Sequence, residues 1–118
     1  MENKRAYGRF LDKKVSISLV SGKSGEVKGT SVNLSHDGIC GIFEKSYKKD
    51  AALDVELEFL LDTKKTKCRG RGKVIWALDM GNDEFLIGIN LLDYNNENMK
   101  KYINYVDNIS EHQKELEV

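Results

Sequence analysis

The chain has 118 residues, 40% hydrophobic and 32% charged, with 19 Lys plus Arg balanced by 19 Asp plus Glu for a formal net charge of zero. That size fits one domain with its own core, and the composition excludes an intrinsically disordered chain. No run approaches the roughly 18 apolar residues of a membrane span, and the polar start MENKRAYGRF lacks a signal peptide's apolar stretch, so a soluble cytoplasmic protein is expected.

The neutral total hides segregation. Residues 1–30 carry seven cations against three acids, and residues 62–73 six against one, while 31–61 and 74–118 are net acidic. Such a pattern builds local positive fields without general adhesion to nucleic acid, and it favours a small anionic partner. Residues 1–12, holding Lys4, Arg5 and Arg9, are expected to form a mobile N-terminal arm.

Strand signals follow in order. KVSISLVS (14–21) alternates apolar and polar residues, and LDVELEFLL (53–61) does so with acids on the wet face. Further runs are EVKGTSVNL (26–34), GICGIFE (38–44), KCRGRGKVIWAL (67–78) and EFLIGINLL (84–92), punctuated by SGKSG (21–25) and DMGND (79–83). The basic run KCRGRGK reads as an exposed edge strand guarded by cations, with Cys68 near the surface and Cys40 in the core.

The tail changes period. Met99, Tyr102, Ile103, Val106 and Ile109 recur at steps of three and four after Asn95 or Asn96 as N-cap, predicting an amphipathic helix over 95–116. Six antiparallel strands in 13–93 followed by one helix predict a mainly β fold, a six-stranded split or Greek-key barrel with a C-terminal α-helix, in a single domain.

Several apparent motifs fail. GKS at 22–24 lacks the upstream glycine of a phosphate-binding loop, and SHD at 35–37 cannot converge as a triad on an extended chain. Two histidines and two cysteines without ligand spacing give no metal site. No enzyme activity and no cofactor are expected.

Arg5 and Arg9, four apart, can present two planar forks suited to phosphate oxygens, to the O6/N7 edge of guanine, or to stacking on a base. Asn33, Ser35 and Gly38 in NLSHDG offer an amide, a hydroxyl and a close-approach glycine. In that order, RAYGR (RxxxR) and NLSHDG ([D/N]xSxxG), followed by GKVIWAL and FLIGINLL, resemble the PilZ domain family over about residues 4–92. The resemblance implies a six-stranded barrel that receives cyclic di-GMP, as a monomer or a stacked dimer. It implies ligand contacts by Arg5, Arg9, Asn33, Ser35 and Gly38, with Lys4 bearing on stoichiometry and Trp76 at the rim.

Asn33 stands where aspartate is more frequent in that family, which removes a charge from guanine recognition. The expected protein is a stand-alone receptor that orders its arm on binding and signals to an unidentified effector protein. The alternative is a PilZ-like interaction module that binds no nucleotide and works through the acidic helix or the barrel edges. A third reading, RNA binding by the basic strip 64–73, is opposed by overall neutrality and few exposed aromatics.

Overall fold

In the computed structural model, residues 10–22, 25–93 and 96–117 are described, with side chains described through Ser110. Among these residues seven strands form one antiparallel sheet: β1 (Phe10–Leu11), β2 (Ser16–Val20), β3 (Val27–Ser35), β4 (Gly38–Phe43), β5 (Ala52–Leu61), β6 (Lys64–Gly81) and β7 (Glu84–Leu91). A 3-10 turn, Glu97–Met99, leads into helix α1, Lys100–Glu117. The neighbour order β2–β5–β6–β7–β4–β3 closes on itself because β3 pairs with both β2 and β4, giving a ring of six strands.

Alternation dictates what fills the ring. Val15, Ile17 and Leu19 are buried and so are Leu53, Val55, Leu57 and Phe59, while the intervening Asp54 and neighbouring polar residues face water. Met99, Tyr102, Tyr105 and Val106 seal the core from the helix side. Asn96 caps the 3-10 turn, its side-chain oxygen accepting the Asn98 N–H at 2.9 Å.

The basic strand departs from expectation in its length and in what it buries. It is β6, an 18-residue strand whose first part, Lys64–Lys73, pairs with β5 and whose second part, from Gly72, pairs with β7, so only Gly72 and Lys73 have strand partners on both sides among the described residues. Its odd positions send Lys65, Arg69 and Arg71 outward against Glu58, Glu56 and Asp54 of β5, at 3.1, 2.7 and 3.8 Å. The Arg69 hydrogen bond pulls the Glu56 carboxyl below its ordinary range. Its even positions are Cys68, Gly70, Gly72 and Val74, and Cys68 is buried in the core, where burial raises the thiol pKa. The cations are therefore cross-strand partners of acids along a stretch, Lys64–Arg71, whose other edge no described strand covers, as the edge reading expects, and the same neutralisation disfavours an RNA-binding strip.

Two further features escape the sequence pattern. Phe10–Leu11 pair with Leu34 and Asn33, and Asp12 donates its N–H to Val32 at 3.0 Å, so the sheet takes in these residues of the predicted arm. The β5–β6 hairpin turns on Asp62 (φ 51°) and Thr63 (φ 66°), both in the left-handed region that a β-branched residue adopts only at a cost.

Candidate functional site

The NLSHDG segment ends β3, turns, and opens β4, pairing Asn33 with Cys40, Leu34 with Ile39 and Ser35 with Gly38. Leu34 and Ile39 belong to the core, so the alternate positions Asn33 and Cys40 lie on the outer face. Cys40 is buried without belonging to the core cluster.

The register carries this outer row across the sheet. Cys40 pairs with Gly88 of β7, and Gly88 pairs with Trp76 of β6 after a bulge that follows Val74. Asn33, Cys40, Gly88 and Trp76 therefore stand in line across four strands, about 14 Å from end to end at three strand spacings. The indole lies over Gly88: a Cβ there would fall 2.5 Å from the ring, so glycine is what lets the ring lie flat on the sheet. Trp76 is 40% exposed, a rim position rather than a core one. The row is a shallow floor with an amide at one end, an aromatic plate at the other, and small residues between.

The turn beside that floor is held from several sides. The fully buried Tyr102 hydroxyl of α1 donates to the carbonyl oxygens of Gly38 and Ser35, at 2.8 and 3.0 Å. The Leu91 N–H donates to the Asp37 carbonyl oxygen at 2.8 Å, and the Ser35 hydroxyl donates to the Asp37 carboxylate at 3.0 Å. His36 Nε2 lies 2.6 Å from Asp107 Oδ1 on α1. With its own side chain already engaged and buried, Ser35 shapes the turn as well as lining it.

A second set of bonds fixes where the chain enters the sheet. Asp12 accepts from the Lys14 N–H at 2.6 Å and from the Tyr105 hydroxyl at 2.8 Å, and its carbonyl oxygen accepts from Ser31 Oγ at 2.7 Å. Burial, then the hydrogen bond and the negative charge of Asp12, push the Tyr105 phenol well above its ordinary value. Helix α1 thus grips both segments that flank the row. Tyr102 counted in the sequence only as one more apolar residue of the helical stripe, and Tyr105 and Asp12 gave no signal, because a phenol's polar tip and its partner meet only in three dimensions.

Of the expected site residues, Asn33 and Trp76 stand at the two ends of the outer row, half-buried and exposed, while Ser35 and Gly38 lie buried in the turn beside it, and Lys4, Arg5 and Arg9 lie outside the described residues. A groove of about 530 Å³ over Ser18, Asp54, Glu56, Arg69 and Arg71 contains none of the described motif residues, and its two arginines are paired with Glu56 and Asp54. Among the described residues no cluster of three or more His, Cys, Asp or Glu could hold a metal ion, and no helix is long and apolar enough to cross a membrane.

The fold has close counterparts. The structure of the Bacillus subtilis inhibitor of motility MotI/DgrA superposes with a TM-score of 0.74 at 14% identity, covering 91% of this chain and 51% of that one, so this chain spans about half of its length. The PilZ domain of YcgR from Escherichia coli, solved with cyclic di-GMP, gives 0.70 at 10% identity and covers 96% of both chains. The PilZ domain of CeSA from a cellulose-synthesizing bacterium gives 0.55 at 20% identity, covering 87% and 98%. A search of curated proteins finds no match. The PilZ domain model matches residues 3–108, a span that takes in both motifs, the whole ring of strands and the gripping tyrosines, and this chain belongs to the PilZ domain family.

Proposed function

We propose that this protein is a non-enzymatic receptor for cyclic di-GMP, acting in the cytoplasm and binding the ligand over the outer row from Asn33 to Trp76. The observation that carries the reading is the register of β1. Phe10 pairs with Leu34 and Leu11 with Asn33, so the segment bearing Arg5 and Arg9 is covalently joined to the sheet directly beside NLSHDG. This join next to Arg9 supports reading the two motifs, 23 residues apart in sequence, as halves of one site.

In this reading Arg5 and Arg9 supply forks for the two phosphodiesters and a guanine edge, and Asn33 answers a guanine with its amide. Gly38 leaves room for the ligand at the turn, and Trp76 offers a stacking plate. Lys4 adds a phosphate contact or sets whether one or two stacked ligands are held. Binding fixes residues 4–9 against the barrel, and the altered surface signals to an effector protein. The YcgR PilZ domain, solved with cyclic di-GMP on the same fold, supports the ligand class.

Isothermal titration with cyclic di-GMP is the test. Binding in the micromolar range or tighter is expected, with Arg5→Ala, Arg9→Ala and Asn33→Ala each weakening it about ten- to a hundredfold and leaving the far-UV spectrum unchanged. Folded wild-type protein giving no heat at tens of micromolar ligand would overturn the reading.

A further inference from the structure

The register that sets Asn33, Cys40, Gly88 and Trp76 in line sets a second row beside it on the same outer face. Thr30 pairs with Ile42, Ile42 with Leu86, and Leu86 with Leu78, two residues from the first row along β4, β7 and β6. The two rows are therefore about 7 Å apart. Ile39, Phe43, Ile87 and Ile89 take the core side, which leaves Ile42 and Leu86 pointing outward, and neither belongs to the core. Ile42 and Leu86 are half-buried and Leu78 is 57% exposed. This apolar line crosses β4, β7 and β6 over about 10 Å, and it meets β6 between its two bulges, where the β6–β7 ladder is regular.

One end of the row opens into a hollow of about 340 Å³, whose lining includes Lys28, Thr30, Ile42, Glu44 and Glu84. Ile42 makes part of its floor apolar, and Glu44 and Glu84 set two carboxylates against the one ammonium of Lys28, which also acts on Glu56 of β5. Among the described residues no ion pair engages Glu44 or Glu84. An apolar floor beneath two unpaired carboxylates matches the aliphatic stem and charged head of an arginine or lysine.

We propose that this second row docks a basic, apolar segment of a partner protein. An arginine or lysine of the segment enters the hollow and meets Glu44 and Glu84, and the apolar side chains beside it cover Leu86 and Leu78. The carboxylates repel phosphate, so nucleic acid and anionic lipid are refused at the same place. The proposal gives the effector of the receptor reading its chemistry and rests on that reading for its role, whereas the contact itself needs no nucleotide. A partner seated here stands about 7 Å from the ligand floor, close enough to read whether the floor is filled. The surface is far below a standard interface, so a short segment binds weakly, with Kd on the order of 0.1–1 mM.

The probe is a short end-capped peptide of alternating leucine and arginine, titrated into the isotope-labelled full chain without nucleotide and followed by amide NMR shifts. Saturable shifts are expected at Ile42, Glu44, Leu78, Glu84 and Leu86. The double variant Glu44→Gln, Glu84→Gln should weaken binding about tenfold, and Leu78→Ser several-fold, each with an unchanged melting temperature. A leucine–glutamate peptide of the same length should not bind. Absence of saturable shifts at these residues up to about 2 mM peptide, shifts centred on α1 instead, or equal binding of the glutamate peptide would overturn the proposal. Because no nucleotide is present, such a failure leaves the cyclic di-GMP reading to its own titration, and a failure of that titration leaves this contact standing.

Discussion

Replacing Tyr102 by Phe deletes one oxygen from the centre of the molecule and leaves the ring in place. That hydroxyl is fully buried and donates to the Gly38 and Ser35 carbonyl oxygens at 2.8 and 3.0 Å. Ser35 Oγ, at 3.5 Å from the Gly38 carbonyl oxygen, is too distant to take over. The change removes a net hydrogen-bond contribution of about 1 kcal/mol and leaves a buried acceptor short of its donor for about 1 kcal/mol more. A loss near 2 kcal/mol, at about 4 °C per kcal/mol for a domain of this size, lowers the melting temperature by about 8 °C. Thermal melts followed by circular dichroism measure it. Because the two carbonyls flank the proposed ligand turn, titration should also show a several-fold weaker affinity for cyclic di-GMP. A shift below about 2 °C would show that the hydroxyl does not hold this turn and that the argument for α1 as its anchor is wrong.

Asn33→Asp should tighten cyclic di-GMP binding by about tenfold, since a carboxylate facing the guanine N1–H and N2–H forms charge-assisted hydrogen bonds; titration calorimetry checks it. Tyr105 makes stability fall in alkali. Its phenol is raised in the folded state, so the unfolded chain ionises first, and stability present below about pH 10 declines as pH rises above it, by up to about 1.4 kcal/mol per pH unit. Urea melts between pH 8 and 11 should show this decline, and it should be shallower in Tyr105→Phe. Thr63→Gly should stabilise the fold by about 1 kcal/mol, because glycine relieves a β-branched residue at φ 66° by more than its chain entropy costs. Chemical denaturation at neutral pH gives that number directly.

The placing of the strands was legible because the pleat imposes a two-residue period on any half-buried strand. Val15, Ile17 and Leu19 fall on one face whatever the neighbouring strand is. Cys68 shows the same rule missed: its basic neighbours suggested the surface, yet in KCRGRGKV the even positions are all small or apolar, and Cys68 and Val74 among them sit in the core. The Asp62–Thr63 turn carried no signal, because neither residue's local preference calls for the left-handed conformation that the β5–β6 register demands.

By itself the sequence determined the type and approximate extent of the six ring strands and of the helix, and it named Asn33, Ser35, Gly38 and Trp76 as residues of interest. The elements follow from local periodicity and capping; the residues follow from side-chain chemistry together with the resemblance of the ordered motifs to the PilZ family. Only the tertiary structure decided that Asn33, Cys40, Gly88 and Trp76 form one row, that Tyr102 and Tyr105 reach from α1 to Gly38 and Asp12, and that β6 pairs with β5 along its first half and with β7 along its second. Those facts depend on which strand pairs with which and in what register. Ring closure and core packing fix that choice together, over separations that no local pattern spans.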